Sequence, residues 1–204
     1  MTDILGEAAL FPAHDGITDA RRRLYTAAVV LFGQRGYDAV SVKDLMQSLG
    51  HQPGALYGHV ESKQQLLFEI IRIGTEFHRT RIQRALLDAG SEPTEQVRAI
   101  IEAHVRVHLE FQQLSRVVTR ELRCITEQQR AEVDAVSGES VRMFAEVVDR
   151  GVRMGEFHVE SRDLVLQAIG GMGVATAEWW TPDHPHGVDE VASTYAELAL
   201  KILR

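Results

Sequence analysis

The chain has 204 residues, 45% apolar and 25% charged, a formal charge of −7 and a single cysteine, Cys124. That balance suits a globular chain that buries its own core, and one thiol excludes an internal disulfide or a thiolate metal centre. No apolar run approaches the roughly 20 residues that cross a bilayer. Met1–Leu10 lacks the basic start and long apolar centre of a leader, so a cytoplasmic location without membrane contact is expected.

Residues 1–18 carry Gly6, Pro12 and Gly16 and little periodicity, and read as a loose arm. From Asp19 onward the pattern is helical nearly throughout, so the expected fold class is all-α. Asp19–Arg35 repeats Leu24, Ala27, Ala28, Leu31 and Phe32 at three- and four-residue steps, and Gly36 supplies a stop. Ser41 caps a short helix over Val42–Leu49, with Asp44 at its positive end. After Gly50 a second short helix runs from about Pro53 to His59. Ser62 and Gln65 have capping-box spacing ahead of a helix that buries Leu66, Ile70, Ile73 and Phe77 and continues to Leu87. Thr94–Phe111 and Leu114–Cys124 follow, then a long helix capped by Thr126 and Gln129 that ends near Gly151–Gly155. Ser161–Trp180 is helical despite Gly170, Gly171 and Gly173, and Val188–Arg204 closes the chain.

Ser41–Val60 thus has the layout of a helix-turn-helix. Its second helix presents Gln52, Pro53, Gly54 and Ala55, then Tyr57, Gly58 and His59. The two glycines keep that surface low, Gln52 suits a base edge or a phosphate, and Tyr57, His59 and Lys63 suit phosphates. Ser41 and Lys43, at the start of the first short helix, complete the candidate DNA-binding set. Leu45, Leu49, Leu56 and Val60 face inward. The charge supports this reading: six basic and four acidic side chains between Asp19 and Lys63 give that segment +2, and the remainder carries −9. A mildly basic head on an acidic body fits a molecule that meets phosphate at one end. Arg21, Arg22 and Arg23 are either a phosphate-facing arm or a solvated helix face.

The spacing of Ala28, Leu31-Phe32, Gly36, Ser41, Leu45, Gly50, Gly54-Ala55-Leu56-Tyr57, His59, Ser62-Lys63 and Leu66-Leu67 resembles the DNA-binding domain of TetR-family regulators over about 60 residues. Gly58 departs from the aromatic or polar residue common there, and Val60 from the usual Phe. The resemblance implies an Ω-shaped homodimer, N-terminal heads on a palindromic double-stranded operator, phosphate contacts by Tyr57 and Lys63, and a C-terminal effector pocket. The expected organisation is an arm (1–18), a helix-turn-helix domain (19–63) and a ligand-binding and dimerisation domain (64–204).

The later segments Arg120–Val133, Arg150–Phe157, Ala168–Pro182 and Val191–Leu203 resemble regulators of lipid and sterol breakdown that sense acyl-CoA thioesters. An acyl-CoA needs an apolar tunnel and cations for its phosphates. Arg116, Arg120 and Arg123, at i, i+4 and i+7, and the cluster Arg79, Arg81 and Arg84 are candidates for the cations, or else pair with the carboxylates of the acidic body. Candidate apolar lining is Ile101, Val105, Phe111, Phe144, Val148 and Met172, with His104 and His108 beside it. The two histidines, spaced i, i+4, could ligate a metal with His78 as third donor, but without an HExxH partner the expectation is no metal and no cofactor. His184 and His186 are expected to face solvent. Gly170, Gly171, Trp179, Trp180, Tyr195, Leu198 and Ile202 are the expected dimer face. No nucleophile elbow, phosphate loop or dinucleotide turn is present, so an enzyme is not expected. A drug-sensing repressor with a purely apolar pocket is the alternative within the same class, and a helical protein-binding scaffold is the alternative outside it.

Overall fold

The computed structural model describes residues 11–14, 16–58 and 60–204, and among them regular structure is helical, with no strand. The α-helices are α1 (Asp19–Arg35), α2 (Val42–Ser48), α3 (Lys63–Asp88), α4 (Pro93–Glu110), α5 (Gln112–Arg120), α6 (Glu127–Met154), α7 (Arg162–Trp179) and α8 (Val188–Leu203). Two 3-10 turns intervene, Pro53–Gly58 and Leu122–Cys124.

Helix ends follow local chemistry. Thr18 accepts from the Arg21 N–H at 3.3 Å to start α1, and Gly36, at φ 79°, returns its N–H to Phe32 O at 2.8 Å to end it. Ser41 and Asp44 form a complete capping box: Asp44 N–H donates to Ser41 Oγ at 3.1 Å and Ser41 N–H to Asp44 Oδ2 at 2.8 Å. Thr126 and Gln129 repeat the arrangement at 3.1 and 3.2 Å. At α3 only half of the expected box forms. Gln65 N–H donates to Ser62 Oγ at 3.0 Å, but the Gln65 amide turns away and donates to Glu69 Oε1 at 3.3 Å.

The described residues fall into two compact units. The first runs to Thr75 and includes Phe111–Asp134; the second is Glu76–Glu110 with Ala135–Arg204. Helices α3 and α6 therefore contribute to both. The first unit packs Leu24, Ala28 and Phe32 of α1 with Leu45 and Met46 of α2, Leu56, Val60, and Leu66, Leu67 and Ile70 of α3. Leu114 and Val117 of α5 close this core, and α1 lies against α5. Gly74 of α3 is in contact with α5: a Cβ there would stand 2.8 Å from Val118. The expectation of a loose arm is corrected for its last residues. Phe11 is only 3% exposed and meets the Tyr25 ring edge-on at 5.3 Å, because an aromatic ring gains more from this groove than from water. Residues 1–10 of that arm lie outside the described residues.

In the second unit α4 packs on α7 and α8. Val97, Ile101 and Val105 of α4, Phe144 and Val148 of α6, Ile169 of α7 and Ala192, Ala196 and Leu200 of α8 form its core. Among the described residues, no helix is long and apolar enough to cross a membrane.

Candidate functional site

The helix-turn-helix pairs α2 with the 3-10 turn Pro53–Gly58. The expected second α-helix is wound more tightly, since Pro53 lacks an N–H and Gly54 and Gly58 lower helix propensity within six residues. Leu45, Leu56 and Val60 are buried, with Leu49 partly buried against them. The opposite side stays open: Ser41, Lys43, Gln52, Pro53, Gly54 and Gly58 are exposed. The side chains of Ala55 and Tyr57, and all of His59, lie outside the described residues.

Lys63 has an unexpected arrangement. Its Nζ donates to Tyr37 O at 2.6 Å and sits 3.9 Å from the Tyr37 ring centroid. Partial burial lowers its pKa, opposed by the charges of Asp38 and other nearby groups. One N–H of the ammonium is committed and two remain. Arg21 is also committed: its guanidinium donates to Glu69 Oε2 at 2.6 Å, and the Tyr25 hydroxyl donates to the same oxygen. Arg23 is exposed.

Sequence periodicity places Arg116, Arg120 and Arg123 on one helix face. The structure corrects this: α5 ends at Arg120 with Glu121 as its cap, so Arg123 lies in the following 3-10 turn, 3.8 Å from Asp38. Glu121 draws the chain round, burying its carboxylate and accepting from the Tyr37 N–H at 3.2 Å. All three arginines, and Phe111, belong to the first unit. Of the other cluster, Arg79 faces Glu139 at 3.6 Å, Arg81 faces Glu110 at 3.8 Å and Arg84 faces Asp88 at 3.8 Å.

The second unit contains a cavity of about 90 Å³ lined by His78, Ile82, Ile100, Ile101, His104, Ser140, Val141, Phe144, Leu166 and Gly170. His104, Phe144 and Ile101 are expected there from the sequence; Ser140, Ile100 and Leu166 are not, since nothing in their spacing marks them. Val148 and Val105 are buried core, and Met172 packs partly buried against it. The Ser140 hydroxyl has no hydrogen-bond partner. His78 Nε2 lies 2.8 Å from His104 Nδ1, and His104 Nε2 lies 3.1 Å from Gly170 O. His108 is buried, its ring centroid 4.7 Å from that of His104, and its Nδ1 has no partner. Such an orphan costs about 1–3 kcal/mol. Burial lowers the pKa of all three rings, His78 down to about 3 with help from His104, so they are neutral.

The three glycines of α7 divide. A Cβ on Gly173 would stand 2.2 Å from His104 Cδ2, whereas Gly170 and Gly171 have nothing within 4 Å. Trp179, Leu198 and Ile202 are 43%, 40% and 40% exposed, and Tyr195 is partly buried. Trp180 departs from the expected face: it is 8% exposed, inside its own core, with its indole N–H donating to His186 O at 3.0 Å. His186 is exposed as expected, and His184 is partly buried beside the Trp179 ring.

Comparison with known proteins gives this geometry a context. Residues 24–70 match the model of bacterial regulatory proteins of the tetR family, and residues 90–203 match the tetracyclin repressor-like C-terminal domain. The chain is 26% identical over 183 residues to the HTH-type transcriptional repressor KstR2 of Mycolicibacterium smegmatis, covering 88% of each. It superposes on the TetR family transcriptional regulator PfmR of Thermus thermophilus with a TM-score of 0.81 at 30% identity, covering 90% of this chain and 99% of that one. AibR in complex with isovaleryl coenzyme A and operator DNA shares the fold, with a TM-score of 0.80 at 21% identity, covering 87% and 96%. With both halves of the chain matched, one around an open helix-turn-helix and the other around a helical unit with an internal cavity, this protein belongs to the TetR family of transcription regulators.

Proposed function

We propose that the protein is a dimeric repressor that binds a palindromic operator and releases it when a small acyl effector, carried as a CoA thioester, occupies the second unit. The observation that carries the reading is the open tip of the helix-turn-helix: Gln52–Gly54 are exposed over the buried Leu45, Leu56 and Val60, so a duplex can approach where little side-chain bulk intervenes. Ser41, Lys43, Gln52, Pro53, Gly54, Ala55, Tyr57, Gly58, His59 and Lys63 are the proposed DNA-contact set. In a two-fold dimer the two tips must stand about 34 Å apart, or a further turn, to meet successive major grooves. The exposed Trp179, Leu198 and Ile202, together with Tyr195 and the open Gly170 and Gly171, are the proposed dimer face.

Two observations favour a short acyl group. The cavity, at about 90 Å³, is well below the several hundred Å³ of a drug-sized pocket, and its wall is apolar apart from His78, His104, Ser140 and backbone. The structural relative AibR is seen with isovaleryl coenzyme A. The effector must bind the DNA-releasing state more tightly than the DNA-binding one.

Selecting bound duplexes from a random pool, followed by gel retardation at low salt, tests the first part: a palindromic consensus is expected, and no retarded complex would refute the reading. Isovaleryl-CoA added to the complex tests the second, with release expected. A second reading follows from the cavity wall, which holds no arginine among the described residues: an apolar effector without CoA. In that case the free carboxylic acid releases the DNA as well as its CoA thioester does, whereas the acyl-CoA reading requires the thioester.

A further inference from the structure

We infer that His78, His104 and His108 form a binding site for one divalent transition-metal ion of the zinc and cobalt class inside the second unit. One ring nitrogen from each histidine lies within 4.8 Å of the others. Three imidazole nitrogens held at about 2.0–2.1 Å from a tetrahedral ion stand roughly 3.4 Å apart. To reach that spacing the 2.8 Å pair of His78 and His104 opens, the proton that His78 Nε2 donates to His104 Nδ1 moves to His78 Nδ1, and His108 closes in. A set of imidazoles with no carboxylate suits zinc, cobalt, nickel or copper and not magnesium or calcium.

Three features mark the cluster as a built site. A carbonyl oxygen only accepts, so the bond to Gly170 O puts the proton of His104 on Nε2 and leaves the Nδ1 lone pair directed into the cluster. That is the outer-shell arrangement by which proteins orient a ligating imidazole. The space for the ring exists because position 173 is glycine. The third feature is the buried Nδ1 of His108, a polar atom with no protein partner.

His78 and His104 also line the cavity, so a fourth coordination position opens onto it. No carboxylate lines that space among the described residues, and Ser140 is its other polar side chain. A dication held by three neutral rings against an apolar wall favours an anionic fourth ligand: hydroxide, or the carboxylate or thiolate of a bound molecule. The three histidines all belong to the second unit, and the test of the site does not depend on DNA.

The test uses the full chain stripped with a chelator and titrated with Co²⁺, then Zn²⁺. The expected result is visible d–d absorption of tetrahedral intensity that saturates at one equivalent per chain and is displaced by Zn²⁺. His104→Gln and His108→Gln are expected to weaken binding by at least roughly 100-fold, whereas His184→Gln with His186→Gln leaves it unchanged. X-ray absorption of the zinc-loaded wild type needs no variant and is expected to show three imidazoles at about 2.0 Å. A folded wild type that binds no Co²⁺ would overturn the site. So would binding lost in the loop variant but kept in the α4 variants, or an absorption fit with fewer than three imidazoles.

Discussion

Gly173 has no side chain because the His104 ring occupies the space a Cβ would need. Gly173→Ala is therefore expected to destabilise the fold by about 1–3 kcal/mol through overpacking. Gly171→Ala, into open space, should raise single-chain stability by up to about 1 kcal/mol; urea denaturation separates the two. The histidines respond to acid. Their folded pKa values lie below the ordinary histidine value, that of His78 at about 3, so as pH falls below about 6.5 the unfolded chain binds more protons and stability falls. Among the described residues no acidic side chain lines the cavity to offset this. In metal-free protein His78 should cost roughly 1 kcal/mol on going from pH 7 to pH 5.5, and His78→Gln should flatten the profile of the urea midpoint. Lys63, which keeps two N–H groups beyond the one given to Tyr37, is expected on Lys63→Ala to weaken DNA binding evenly across sequences. The slope of log affinity against log salt should fall by about one.

At the scale of elements, the caps were legible because they are local. Ser41 with Asp44 and Thr126 with Gln129 announce their helices in four residues, and Gly36 with its positive φ announces a stop. Ser41→Ala should cost about 1 kcal/mol of stability and weaken operator binding, since α2 braces the 3-10 turn; thermal melting and gel retardation measure the two effects. Periodicity failed where a distant residue intervened. Nothing near Arg123 says that Glu121 will turn inward to Tyr37, which is 84 positions away in sequence, and stop α5 short. The His78–His104 contact was equally hidden, because 26 residues and a change of helix separate partners that only packing brings together. Trp180 misled for a simpler reason: two adjacent indoles look alike in sequence, yet only one has a carbonyl, that of His186, waiting inside.

For the molecule as a whole, the exposed apolar side chains near the C-terminus bear on assembly. Replacing Leu198 and Ile202 by Glu should leave the helical content unchanged, since both are 40% exposed in the single chain. In analytical ultracentrifugation it should convert dimer to monomer, and with it remove cooperative operator binding. A dimer that persists would move the interface elsewhere. The seating of Phe11 against Tyr25 bears on where the DNA-binding half can be cut. The recognisable family segment begins at residue 24, so a fragment trimmed to that border would discard a ring that fills a groove on α1. Emptying such a groove costs about 3–5 kcal/mol, enough to leave an isolated head largely unfolded. Any fragment made for crystallography or for domain grafting should start upstream of residue 11.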